Sequence, residues 1–336
     1  MKAAPLTLVL PLIALGLALA MMAGVFWGTA AISWPDRWSI LLRADAAPRN
    51  LSLIVWEWRM PRVLLSGLAG AALALAGVLM QTALRNPLAD PYLMGLSSGA
   101  SAAAVAAIIW LPGGLVEQLG VPLIAFLGAL LAFGMTLGFA HRPGRGMTPL
   151  IVILAGVAVS LMFQSVTAFL LYFGDPHATR NALGWLMGTA AGSRWGDVPL
   201  LASVVVILGI VAMLGRGVLD TLLLGDERAQ ALGISLPLVR LSIYSAVALL
   251  TALTVANLGI VGFVGLIVPH MARLLVGGRH GGLIPVAMLA GAVVLVLVDL
   301  ACRLLLAPEE LPLGVLLALL AAPPFILLLR RVNHAL

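Results

Sequence analysis

Few residues in this chain have the types and spacing to do chemistry, and each has a packing alternative. Gly95-Leu96-Ser97-Ser98-Gly99 fits the G-x-S-x-G setting of a serine nucleophile, which would make the chain an intramembrane serine protease. That chemistry needs a strand before the elbow or a histidine base at membrane depth. His141, His177, His270, His280 and His334 all fall in loops or at the ends of apolar runs. Gly95, Gly99 and Ala103 instead recur every four residues, the small-residue stripe that lets helices approach closely. Asp299 and Arg303 are spaced to pair on one helix face. No other acid lies inside an apolar run, so a proton- or ion-coupled secondary transporter would lack its usual unpaired carboxylates. Gln81, Gln164 and Asn257 are the amides inside such runs, placed either to bond helix to helix or to line a pathway. HExxH, CxxC and phosphate-binding glycine loops are absent, so the sequence assigns no metal, redox or nucleotide site to this chain.

The elements that carry these residues belong to a membrane. The 336 residues are 62% hydrophobic and only 10% charged, far from the balance of a soluble globule. A helical span needs about 20 mostly apolar residues, and the runs here have helical length rather than the short alternating segments of a barrel. The fold class is therefore all-α and polytopic, a single transmembrane domain over residues 1–336. Ten runs fit spans: Pro5 to Trp27, Pro61 to Leu84, Tyr92 to Trp110, Val121 to Ala140, Thr148 to Phe173, Asp197 to Leu214, Val239 to Leu258, Ile260 to Leu275, Gly282 to Leu304 and Leu311 to Leu329. The first is too long for a signal-peptide core and lacks a convincing cleavage site. The net charge of +6 is scattered singly, which argues against nucleic acid as a partner. Cys302 is the one cysteine and reads as a small core residue.

The seventh and eighth runs are the ambiguous pair, because only 32 residues separate Arg240 from Arg273. Charge decides between one span and two. With ten spans and both termini inside, eleven of the 19 Lys and Arg are cytoplasmic, among them Lys2, Arg85, Arg216, Arg228, Arg240, Arg330 and Arg331. Merging the pair leaves only eight inside, so the positive-inside rule favours ten. All eight tryptophans then sit at or beyond the outer ends of spans, and the short eighth span begins below the outer surface near Gly259, Gly262 and Gly265. Gly28 to Arg59 is expected to lie across the outer surface. Gly174 to Gly196 is expected to hold a short interfacial helix beside the fifth span.

The longest polar interruption on the inner side is Leu224 to Arg240, within a cytoplasmic loop spanning 215–240. Asp226 is positioned to cap a short helix, Glu227 to sit in its first turn, and Gly233 to supply a left-handed stop. Ser235 and Pro237 then start another helix. The expected product is a knob presenting Ala229 and Leu232 on a rim of Arg228, Gln230 and Arg240, shaped to meet a soluble partner.

These segments also carry a resemblance. Arg59-Met60-Pro61-Arg62, Asn86-Pro87-Leu88-Ala89-Asp90-Pro91 and the glycine-serine stretch behind it resemble the permeases of ABC importers for ferric siderophores, haem and cobalamin. So do the Leu-Gly repeat ending at Gly233, the run Gly262 to Arg273, and Glu310-Leu311-Pro312-Leu313-Gly314. The landmarks fall in order from the second span to the tenth. The resemblance implies a type II importer in the bacterial inner membrane: a second copy of this chain, two cytoplasmic subunits that bind ATP and Mg, and a periplasmic substrate-binding protein. It implies that Asp226, Glu227, Arg228, Ala229, Leu232 and Gly233 couple to the ATPases, and that Arg59, Arg62 and Arg303 meet acids of the binding protein. Asn86 and Leu88 fall at an inner gate, and Met147 and Thr148 fall near a second constriction lining the fifth span, which also carries Gln164. The commonest cargo of the resembled family is a ferric siderophore, with haem and cobalamin as alternatives. The chain departs from the pattern at Pro149, where small polar residues are common, and at Pro323-Pro324, where a second proline replaces a single kink.

Overall fold

The computed structural model describes residues 4–30, 32–42, 48–111, 113–141 and 148–332, with side chains described through residue 326. Among the described residues the regular structure is helical throughout. In chain order the helices are α1 (Leu6–Phe26), α2 (Trp34–Leu41), α3 (Arg49–Leu53), α4 (Met60–Ala83), α5 (Leu96–Ile109), α6 (Gly113–Ala140), α7 (Pro149–Tyr172) and α8 (Pro176–Leu186). They continue with α9 (Val198–Leu214), α10 (Arg216–Leu222), α11 (Asp226–Ala231), α12 (Leu236–Leu258), α13 (Val264–Val276), α14 (His280–Leu304) and α15 (Leu313–Val332). Among the described residues seven helical stretches are long and apolar enough to cross a membrane, and α5, α13 and α15 are shorter apolar helices. Together they coincide one for one with the ten runs of the sequence.

Helix α4 is the hub. Of its most apolar stretch 89% is buried, against 17% for α1 and α7 and 22% for α9, so α4 is enclosed while the others face outward. Its small residues make this possible. A side chain on Gly70 would run into the carbonyl of Gly291 on α14, so the two backbones touch. The same contact joins Gly99 on α5 to Gly128 on α6, which assigns the G-x-S-x-G stretch to packing. Ser98 Oγ donates to the Gly95 carbonyl at 2.9 Å. The histidine side-chain bonds found among the described residues run from His280 to Asp220 and Thr82, not to a serine.

The short eighth span is α13. Before it, residues 259–263 leave helical geometry at depth, with Gly259 at φ +73° and Phe263 at φ +67°. Irregular backbone survives in a bilayer only where protein satisfies it. Here Tyr92 Oη donates to the Val261 carbonyl at 3.0 Å, and Thr189 N donates to Leu258 O at 2.8 Å. Leu313 N and Gly314 N donate to the carbonyls of Gly188 and Met187 at 2.9 and 3.0 Å, closing α15 onto the segment after α8 that also bonds Leu258.

The segments between spans differ from expectation in one place. Residues 49–59 do not lie flat, because α3 runs through a π-helical turn (Ile54–Arg59) into α4 as one 35-residue helix. Pro61 lacks the N–H that an α-helix would use there, and the wider turn absorbs the loss, with Met60 N bonding Val55 O. Helix α8 falls within Gly174 to Gly196 as expected and packs against α5, and Asp175 caps it, accepting from His177 N and Ala178 N. Helix α2 does lie outside the spans, and Arg37 stands 4.6 and 4.3 Å from the rings of Trp27 and Trp34.

Candidate functional site

The knob forms as a helix, a stop and a second start. Gly233 takes φ +83°, Ile234 N bonds back to Ala229 O at 3.0 Å, and Gly233 N bonds to Gln230 O at 2.9 Å. That is the paired bonding of a Schellman stop, and Ser235 and Pro237 open α12 as expected. Two expectations are corrected. Asp226 is the first helical residue rather than the cap, which is Gly225. Its carboxylate is committed elsewhere, accepting from Arg240 Nη2 at 2.8 and 2.9 Å and lying 3.4 Å from Arg85 Nη2. Ala229 and Arg240 also point inward, with Ala229 fully buried, because the short helix packs one face on the bundle. What the knob presents is Leu232, 67% exposed, with Glu227, Arg228, Gln230 and Gly233 around it. Leu224 and Leu238 are exposed nearby, an apolar patch suited to a protein contact.

The connection from α4 to α5 turns sharply. Asn86 Oδ1 accepts from Leu88 N at 2.9 Å, so the asparagine holds the turn while Leu88 is half-buried beside it. In the same connection Asp90 Oδ1 accepts from Tyr92 N at 2.7 Å. Burial pushes the Asp90 carboxyl up to about 6, with the Tyr92 N–H opposing. Thr148 stands exposed at the N-cap of α7 and Pro149 occupies its first turn, where the missing N–H costs nothing. Met147 lies outside the described residues. Gln164 is exposed on α7, on one stripe with Leu150, Leu154, Val157 and Leu161. Gln81 and Asn257 are spent inside the bundle, on the carbonyls of Leu266 and Leu253.

The three arginines gather where α1 ends, α4 begins and α14 ends, but they face the interior of the bundle. Arg59, Arg62 and Arg303 are 6%, 8% and 4% exposed. A guanidinium at a span end is costly unless paired, and each finds partners within the chain. Arg59 donates to the carbonyls of Val25, Phe26 and Ala30, and Arg303 donates to those of Gly24 and Trp27. Arg62 Nε donates to Asp299 Oδ1 at 2.9 Å, and its Nη1 and Nη2 grip Glu310 at 2.9 Å each. Asp299 also lies 3.3 Å from Arg303, so the expected pair is present and is shared with Arg62. Glu310 was the missed partner. Its place in a loop far along the chain gave no helical spacing to reveal it.

Comparison with known proteins shows the family. A family model described as the FecCD transport family matches residues 16–331. The Fe(3+) dicitrate transport system permease protein FecD of Escherichia coli K12 is 38% identical over 301 residues, covering 89% of this chain and 92% of that protein. The vitamin B12 import system permease protein BtuC of Vibrio cholerae is 42% identical over 281 residues, covering 84% and 83%. A solved structure described as an inward-facing conformation of a metal-chelate type ABC transporter matches with a TM-score of 0.83 and 29% identity, over 96% of this chain and 99% of that one.

Proposed function

This chain belongs to the FecCD transport family, and from that premise we propose that it is the permease subunit through which an ABC importer moves a ferric chelate across the inner membrane. The observation that carries the reading is the knob at 224–238, an apolar patch held by a glycine stop and tied by Asp226 to the ends of α4 and α12. A cytoplasmic ATPase subunit seated there would move those two helix ends directly. ATP and Mg are bound by that partner, and the permease supplies no catalytic group.

The pathway runs along α7 of two copies, where the stripe of Leu150, Leu154, Val157, Leu161 and Gln164 lacks a partner within one chain. An exposed amide amid leucines is costly against lipid and favourable against a wet passage. The Asn86–Leu88 turn and Thr148 close the inner end. Both termini and the 215–240 loop face the cytoplasm, following the excess of Lys and Arg on that side. A periplasmic binding protein docks at the outer ends, where Arg62 is held by the half-exposed Glu310. An acid on that protein would replace Glu310 rather than find a free arginine. A ferric siderophore or ferric citrate fits the relatives named for iron uptake, and cobalamin is the second reading because BtuC of Vibrio cholerae is 42% identical where FecD is 38%.

The test is uptake in cells lacking their own chelate importers, given this chain with its neighbouring ATPase and binding protein. Accumulation of iron from ferric siderophore or citrate, lost with Leu232→Asp, is the expected result. Accumulation of cobalamin alone would move the cargo to the second reading, and uptake independent of the ATPase would overturn the permease assignment.

A further inference from the structure

His280 opens α14 at its inner end and is completely buried, yet both of its ring nitrogens are engaged. Nδ1 lies 2.6 Å from Asp220 Oδ1, and the same oxygen accepts from the His280 backbone N at 2.9 Å. Nε2 lies 2.7 Å from Thr82 Oγ1, which in turn bonds the Val78 carbonyl at 2.8 Å. An ionised carboxylate only accepts, so Nδ1 is the protonated nitrogen toward Asp220, whichever of Nε2 and Thr82 donates to the other. The tie runs through three elements: α10, just before the knob, then α14, then the last turn of α4.

We propose that His280 is a positioning residue that carries movement of the knob into the bundle. Two of the three acids in the 215–240 loop, Asp220 and Asp226, reach the same end of α4. Asp226 pairs with Arg85, and Asp220 reaches Thr82 through His280. The chain leaves that turn straight into Asn86 and Leu88, with Asn86 N bonded to Gln81 O at 3.1 Å. A shift of α10 and α11 therefore turns the end of α4, and with it the inner turn. Asp220 has a 39% exposed side chain, so its loss removes the link without opening the core. This inference rests on the reading of the knob as the ATPase contact.

The experiment uses the permease assembled with its ATPase in nanodiscs, with Leu88→Cys as reporter in a Cys302→Ser background. The reading is the change in maleimide labelling at position 88 when ADP and vanadate are trapped. A coupling of ordinary size gives the parent a change of about tenfold, and Asp220→Ala and Thr82→Val reduce it below about twofold while the complex still assembles. Asp220→Asn keeps the acceptor and restores most of the change. A parent-sized response per assembled complex in Asp220→Ala and in Thr82→Val overturns the inference, since a merely structural tie would lower only the yield of complex. A parent that assembles with no ATPase, or that does not respond to trapping, fails before any tie is cut and overturns the permease reading beneath it.

Discussion

Asp299 is the residue whose loss has the most calculable consequence. It is 1% exposed and holds two guanidiniums, Arg62 at 2.9 Å and Arg303 at 3.3 Å. Removing one partner of a buried ion pair typically costs about 3–5 kcal/mol, because the other charge is left desolvated. Here the low end applies. Arg62 keeps its two-pronged grip on Glu310, and Arg303 keeps the carbonyls of Gly24 and Trp27. Asp299→Ala should therefore destabilise the permease by about 3 kcal/mol. Glu310 is 35% exposed on its side chain, so Glu310→Gln should cost about 1 kcal/mol or less. The double variant leaves Arg62 without any carboxylate, and its loss should exceed the sum of the singles by about 1–3 kcal/mol. Steric trapping or denaturant unfolding in nanodiscs measures all three. An Asp299→Ala chain within about 1 kcal/mol of wild type, or a strictly additive double variant, would refute the shared-network account.

Other outcomes follow from the same geometry. Asp90 has its carboxyl raised to about 6 from an unfolded value near 3.8, so the folded chain holds the extra proton between those values. Stability contributed by that proton is present below the unfolded value and is lost as pH rises toward 6, and Asp90→Asn should flatten thermal unfolding profiles across this window. Gly233→Pro places a residue fixed near φ −65° where the chain needs φ +83°, and should abolish ATPase co-purification while membrane insertion persists. Gln164→Leu should leave insertion and assembly intact but lower uptake several-fold if α7 lines a wet passage. If the binding protein displaces Glu310 from Arg62, Glu310→Gln should speed docking at low ionic strength and steepen its salt dependence, as measured by surface binding at two ionic strengths.

Much of this arrangement could be read before any coordinates. Apolar runs of span length and the side on which arginines collect placed ten helices, including the short α13, because the bilayer imposes both length and charge asymmetry. Gly233 and Pro237 marked the knob because backbone geometry at a stop and a start admits few residue types. Which way a side chain faces was not legible. Arg59, Arg62 and Arg303 turned inward toward partners distant in sequence, and Ala229 and Arg240 turned inward because the short α11 packs one face on the bundle. The π-turn above α4 also escaped: the apolar run starts at Pro61, while the wider turn, with Met60 N bonded to Val55 O, carries the helix continuously past it. His280 lay at the end of a run and looked like a loop residue, and only the fold brought Thr82 and Asp220 to its two nitrogens.

The most direct test of the central claim is reconstitution. The permease with its co-purified ATPase is placed in proteoliposomes, the binding protein loaded with ferric siderophore or citrate is added on the periplasmic face, and ATP is supplied on the other. The account predicts chelate accumulation that needs hydrolysable ATP and the binding protein together, and that disappears with Leu232→Asp although the vesicles still contain the chain. Accumulation that proceeds without ATP on an imposed ion gradient, or that survives Leu232→Asp unchanged, would contradict it.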